Sequence, residues 1–264
     1  MPKRVVIHAG FHKTGTSTVQ LALRVNRATL RPYLRSILKP PLKSVCYASR
    51  GYSTWRDPIS LLNFRRRLRA VLQDLAPMPR RTLVLSAEEL SGHLPGREGL
   101  EDYAAAVALA GVMDEVVTAV FPKVEKILYY STREPVSWLR SAYWQHVRAS
   151  AMVLDFDDYK RSYAGSANLE QIVYEIGQAV HARVVHARLD STGDMPAGPA
   201  TPLLDLCDVP QEIQSGLSMQ PVNAHLGADV LLALLEANRT IPDRDQRNEV
   251  KLGIIQQALG QNHD

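Results

Sequence analysis

Val5-Val6-Ile7-His8-Ala9-Gly10-Phe11-His12-Lys13-Thr14-Gly15-Thr16-Ser17-Thr18 decides the reading of this chain. It opens with a short apolar run rich in β-branched residues and ended by Gly10, which suits a strand buried on both faces of a parallel sheet. From Ser17 to about Ala28 the pattern is helical, with Val19, Leu21, Leu23 and Val25 as core candidates. A glycine-bearing loop therefore stands between a strand and a helix. At such a point a parallel α/β protein turns backbone N–H groups and a helix N-terminus toward an anion. Gly10 and Gly15 let the backbone curl tightly, the hydroxyls of Thr14, Thr16, Ser17 and Thr18 add donors, and Lys13 adds positive charge.

Further along, the same alternation repeats. Thr82-Leu83-Val84-Leu85-Ser86, Lys126-Ile127-Leu128-Tyr129-Tyr130-Ser131 and the shorter Val184-Val185-His186 read as strands. Asp57-Pro58 opens a helix reaching about Leu75, Asp as N-cap and Pro at the first position, and Pro77 and Pro79 end it. Helices also fit Leu100 to Val120, Pro135 to Met152, Leu169 to Ala182, Ala224 to Ala237 and Asp245 to Leu259, whereas Leu34 to Tyr52, with Pro40-Pro41 and Gly51, reads as irregular. Strands alternating with helices predict right-handed βαβ units and a parallel sheet covered on both faces. The expected fold is a P-loop-like three-layer α/β fold, and residues 1–264 read as a single domain without repeat or low-complexity linker.

The bulk numbers agree with a soluble globular protein: 264 residues, 45% hydrophobic and 22% charged. A net charge of +4 favours anionic ligands and is too small to argue for nucleic acid. The run Arg65, Arg66, Arg67, Arg69 reads as a solvated helix face. Cys46 and Cys207 make neither a disulfide framework nor a metal site and read as buried thiols. The N-terminus lacks the apolar length of a signal peptide, and Leu226 to Leu235 is too short to span a bilayer, so the expectation is a cytoplasmic protein without an integral membrane segment.

The loop shares the Gly10-x-x-x-x-Gly15 spacing of a Walker A motif, but Thr16 and Ser17 stand where Lys and Ser/Thr are required. Its lysine, Lys13, lies three places earlier. Lys13-Thr14-Gly15-Thr16-Ser17 resembles instead the 5'-phosphosulfate loop of sulfotransferases dependent on 3'-phosphoadenosine-5'-phosphosulfate (PAPS), and His8 to Thr16 resembles their bacterial and carbohydrate-modifying branches in particular. That family builds its 3'-phosphate site from an Arg ending a later strand and a Ser eight residues on. Arg133 and Ser141 have that separation here, with Pro135 setting a helix start between them. The resemblance covers residues 5 to 25 and 126 to 148 well and the rest only in layout.

The resemblance implies sulfuryl transfer from PAPS to an acceptor hydroxyl, with 3'-phosphoadenosine-5'-phosphate (PAP) as product and no metal. Such chemistry needs a general base, an in-line arrangement and stabilisation of charge on the leaving phosphate. Lys13 is the candidate for the last role. For the base, Glu88 and Glu89 follow a strand at the edge where ligands bind in this architecture, and the carbohydrate-type enzymes use a glutamate in a comparable place; Glu88 is preferred. His93 is the nearest histidine alternative, and His12 is a candidate either to contact the sulfuryl group or to hydrogen-bond backbone. Tyr143, Gln145, His146 and Arg148 are candidates for an acceptor pocket, with a structural role favoured for Tyr143 and Trp144. Asn223, before a C-terminal helix, reads as an N-cap. The implied acceptor is a saccharide or glycolipid hydroxyl. Two rivals remain open at this level: a nucleotide-dependent kinase, for which Asp190 is the best and a poor magnesium ligand, and a non-catalytic nucleotide-binding protein of the same fold.

Overall fold

The computed structural model describes residues 1–97, 100–219 and 226–260. Strand β1 (Arg4–His8) leads through the glycine loop into helix α1 (Thr16–Val25) and the short α2 (Arg27–Leu30). Strand β2 (Leu34–Ile37) and helix α3 (Lys43–Trp55) follow, in the stretch whose sequence reads as irregular. Leu34 and Ile37 are buried while Arg35 and Ser36 are half-exposed, as an edge strand requires. Helix α3 begins directly after Pro40-Pro41, and its buried stripe of Val45, Cys46, Ala48, Ser49 and Ser53 carries it through Gly51. Helix α4 (Pro58–Gln73) starts as expected, with the Asp57 carboxylate accepting from the Ser60 N–H at 2.8 Å.

Strand β3 (Thr82–Ser86) is buried throughout. Helix α5 (Ala105–Val120) leads to β4 (Glu125–Thr132) and then to α6 (Pro135–Ala149), where Glu134 accepts from the N–H groups of Val136 (2.9 Å) and Ser137 (2.7 Å). Helices α7 (Phe156–Tyr163) and α8 (Leu169–Ala179), strand β5 (Arg183–Arg188), the short α9 (Thr201–Asp205) and α10 (Gln211–Ser215), then α11 (Ala228–Thr240) and α12 (Arg244–Gly260) complete the described chain. The expected cap at Asn223 lies outside the described residues. Lys251 of α12 reaches back to α6, its ammonium donating to the carbonyls of Val147 at 2.7 Å and Ser150 at 2.8 Å.

The five strands form one all-parallel sheet in the order β2-β3-β1-β4-β5. Strand alternation sends Val5, Ile7, Leu83, Leu85, Leu128 and Tyr130 to one face, where they pack with α3, α4, α5, α6 and α8. Val6, Val84, Ile127 and Tyr129 meet α1, α2 and α9 on the other. The result is a three-layer α/β architecture. The connection from β1 runs toward one edge of the sheet and those from β3 and β4 toward the other, so the chain diverges at the carboxyl ends of the central strands, the position that opens a ligand crevice in such sheets. Among the described residues no helix is long and apolar enough to cross a membrane. The arginine run on α4 is a helix face: Arg65 pairs with Glu115, and Arg67 Nη1 donates to the Ser44 carbonyl at 2.9 Å. Both cysteines are buried and free, and burial pushes the Cys46 thiol up to about 12.

Candidate functional site

The loop after β1 is held from beneath by a buried hydroxyl–imidazole cluster. Ser131, near the end of β4, lies 2.7 Å from the Thr14 hydroxyl, 3.5 Å from that of Thr16 and 3.4 Å from His8 Nε2. His8 Nδ1 lies 2.9 Å from the Ser86 hydroxyl, so β1, β3 and β4 are tied together below the loop. Thr14 also donates to the Phe11 carbonyl at 2.6 Å. Gly10 sits inside this cluster. A Cβ there would stand 2.3 Å from Ser131 Oγ, 2.6 Å from Thr16 Oγ1 and 2.7 Å from His8 Nε2, all closer than real contacts permit. The hydroxyls of Thr14 and Thr16 thus shape the loop, while Ser17 is exposed and Thr18 half-buried.

Above the cluster the backbone turns left-handed twice, at Lys13 (φ 67°) and at Gly15 (φ 87°). A positive φ at a lysine is uncommon and is held only where its surroundings demand it. Gly15 caps α1 without any side chain accepting from the first-turn N–H groups, and that turn carries no acidic residue. Its N–H groups and dipole therefore face the crevice, as an anion site requires. A Cβ at Gly15 would also come within 2.7 Å of Leu189 Cδ1, in the segment after β5, so that leucine side chain would have to shift. In that segment Asp190 accepts from the Glu134 N–H at 2.8 Å, a capping role.

Lys13 is half-buried, and its pKa is lowered, first by burial and then by the neighbouring charges of Arg148 and Arg133, with Glu88 acting in the opposite sense. Arg133 reaches the loop itself, Nη1 donating to the Lys13 carbonyl at 3.3 Å, and its buried Nε has no hydrogen-bond partner. An unpaired buried guanidinium N–H is costly unless an acceptor arrives. Ser141 is half-buried two turns into α6, beside Ser137 and Trp144 on the flank left by the core residues Trp138, Leu139 and Ala142. His12 is fixed by Tyr103, whose hydroxyl accepts from the His12 N–H at 3.2 Å and lies 3.1 Å from Nδ1. Trp138 Nε1 donates to the His12 carbonyl at 2.8 Å. Burial, followed by the charges of His93, Lys39, Arg97 and Arg50, pushes the His12 imidazole well below its usual range and keeps it neutral.

The two glutamates after β3 diverge. Glu88, half-buried, accepts from Gln20 Nε2 of α1 at 3.2 Å and faces the loop closely enough to influence Lys13. Glu89 is buried and ion-paired with Lys39 at 2.5 Å, and its backbone carbonyl accepts from Ser49 of α3. Lys39 lies 3.9 Å from Glu88 as well, linking the two. His93 is 6.3 Å from His12, ring to ring, and burial with Arg97 and Arg50 lowers its pKa to about 4. Tyr143 is buried, donating to the Leu154 carbonyl at 3.1 Å, and His146 Nε2 lies 2.6 Å from the Pro95 carbonyl; both hold structure.

Sequence reasoning missed Lys39, Tyr103, Gln20 and the central role of Ser131. Lys39 falls in the stretch read as irregular, and Tyr103 near a helix start carries no distinguishing pattern. Ser131 was legible only as a hydroxyl near the end of an apolar strand. Among the described residues no group of three or more His, Cys, Asp or Glu side chains could hold a metal ion. No protein-family model matches the chain, and no curated protein matches it significantly.

Proposed function

We propose that the protein is a sulfotransferase, moving the sulfuryl group of PAPS to an acceptor hydroxyl. One observation carries the reading: the Arg133 guanidinium, with its buried and unpartnered Nε, lies against the Lys13 carbonyl of a loop whose helix N-terminus is free of side-chain caps and acidic residues. Two anion-accepting elements thus adjoin, as a nucleotide with phosphate groups at separate positions needs. The lysine stands within the loop rather than after Gly15, the arrangement of the family that the sequence resembles.

In this reading the loop N–H groups and Lys13 hold the 5'-phosphosulfate, and Arg133 with Ser141 holds the 3'-phosphate. Glu88 takes the proton of the acceptor hydroxyl as its oxygen bonds to sulfur and the sulfur–oxygen bond to the phosphate breaks. Lys13 stabilises the charge that the phosphate oxygen gains. Glu88 suits the base better than Glu89, because it faces Lys13 while Glu89 is paired with Lys39 at 2.5 Å. The imidazole of His12, held neutral by burial, is suited to hydrogen-bonding a sulfuryl oxygen.

Calorimetry without metal, comparing PAP with ATP, tests the proposal. Micromolar PAP binding with little ATP affinity is expected. A preference for magnesium-ATP, with phosphoryl transfer, would replace it with the kinase reading. PAP binding without turnover on any acceptor would leave a non-catalytic binding protein.

A further inference from the structure

Beside the two glutamates runs a groove of about 660 Å³ between α1, the β2–α3 connection and α3, lined among others by Arg24, Lys39, Lys43, Tyr47, Arg50 and Glu89. Its charge is lopsided. Lys39 is matched by Glu89, but among the described residues no ion pair involves Arg24, Lys43 or Arg50. Lys43, Tyr47 and Arg50 recur at i, i+4 and i+7, so they share one face of α3. Tyr47 is half exposed, with the Arg50 guanidinium 4.6 Å and the Lys43 ammonium 5.8 Å from its ring centre. Cations gathered over one exposed aromatic ring suit a ligand that offers negative charge.

The groove adjoins the reacting centre. Lys39 bridges toward Glu88, and the charges of Lys39 and Arg50 both reach His12 on the loop. At its inner end one oxygen of Glu89, a residue only 7% exposed, is buried without a partner. Resting on the sulfotransferase reading, we propose that this groove selects an acceptor bearing negative charge, a carboxylate or sulfate ester near the hydroxyl to be modified. Arg24, Lys43 and Arg50 bind that charge, Tyr47 holds Lys43 and Arg50 beside one another, and the Lys39–Glu89 pair fixes the floor.

The experiment is calorimetry on the full chain saturated with PAP. The probes are an unsulfated chondroitin tetrasaccharide, charged by carboxylates alone, a heparin tetrasaccharide, charged mainly by sulfates, and neutral maltotetraose. One or both acidic probes should bind, and which of them does identifies the anionic group; maltotetraose should not. Lys43→Ala/Arg50→Ala should weaken acidic-probe binding about tenfold or more. Arg50→Lys should recover part of the loss, PAP affinity should stay unchanged, and raised salt should weaken the probe. Equal binding of maltotetraose, or full acidic-probe affinity in the double variant with its thermal midpoint intact, would overturn the inference. So would a matching loss of PAP affinity, which would make the groove part of the nucleotide site. If PAP fails to bind the wild type while the acidic probe binds with the same variant sensitivity, the groove assignment stands as an anion-selective site and the sulfotransferase reading falls.

Discussion

Replacing Gly10 by alanine tests the architecture of the loop at its tightest point. The glycine is not among those with left-handed backbone, which are Gly15, Gly92, Gly96 and Gly198, so alanine meets no conformational penalty. On its own the change would stabilise the fold by about 0.4–1 kcal/mol, by reducing the freedom of the unfolded chain. Against this, the new methyl group lies 2.3 Å from Ser131 Oγ, 2.6 Å from Thr16 Oγ1 and 2.7 Å from His8 Nε2. These atoms have little room to retreat: the His8 ring is bonded to Ser86 at 2.9 Å and stacked on Tyr129 at 4.9 Å, and Ser131 is bonded to Thr14 at 2.7 Å. Overpacking costs about 1–3 kcal/mol, and breaking the Ser131–Thr14 hydrogen bond adds about 1 kcal/mol. The net expectation is a loss of about 2 kcal/mol, read as a lower urea midpoint at unchanged slope. In a Ser131→Ala background the nearest obstructing atom is gone, and Gly10→Ala should cost about 1 kcal/mol less. A change within about 0.5 kcal/mol of zero, or the same cost in both backgrounds, would refute the reasoning.

Lys13→Ala and Arg133→Ala should each weaken PAP binding by roughly ten- to a hundredfold, the equivalent of one or two charge-assisted hydrogen bonds; calorimetric titration measures this, and wild-type affinity in both variants would remove the site. Glu88→Gln should lower kcat by about 10²–10⁴ while leaving PAP affinity within a factor of a few, and Glu89→Gln should act instead through Lys39 and the groove; single-turnover assays separate the two. Acid should destabilise the fold through its buried histidines. His8 is held neutral by burial, its pKa lowered to about 3 from 6.5, and His146 is lowered to about 4. The unfolded chain binds these protons below pH 6.5 and the folded chain does not, so stability is full above pH 6.5 and falls as the pH drops toward the folded values, by at most about 1.4 kcal/mol per pH unit for each histidine. Urea midpoints between pH 7 and pH 4.5 measure the slope, and His8→Gln should reduce it.

Much of the architecture was legible because the central strands announce themselves. Val5-Val6-Ile7, Leu83-Val84-Leu85 and Ile127-Leu128-Tyr129-Tyr130 are apolar on both faces, and only a sheet covered on both sides makes that pattern soluble. Asp57-Pro58 and Pro135 marked helix starts for reasons local to the backbone. Strand β2 escaped notice because an edge strand of four residues, with Arg35 and Ser36 half-exposed, has no room for a recognisable period. Helix α3 escaped because Pro40-Pro41 and Gly51 signal breaks, whereas its stability comes from packing against α4, α5 and the turn after β3, which no local window contains. That one omission hid the cations of the groove, since Lys39, Lys43 and Arg50 all belong to the misread stretch.

The loop hydroxyls make the same point from the other side. Four of them look alike in the string Thr14-Gly15-Thr16-Ser17-Thr18, and each reads as a donor to an anion. Thr14 and Thr16 are instead turned down onto Ser131, more than a hundred residues away in the chain, and their burial fixes the backbone that presents the N–H groups of α1. A motif therefore states which residue types gather at a site. Which of them touch a ligand and which hold the others in place is decided by strands the motif does not contain, here by β3 through Ser86 and β4 through Ser131. Substituting Ser131 should accordingly disturb the loop as much as substituting within it.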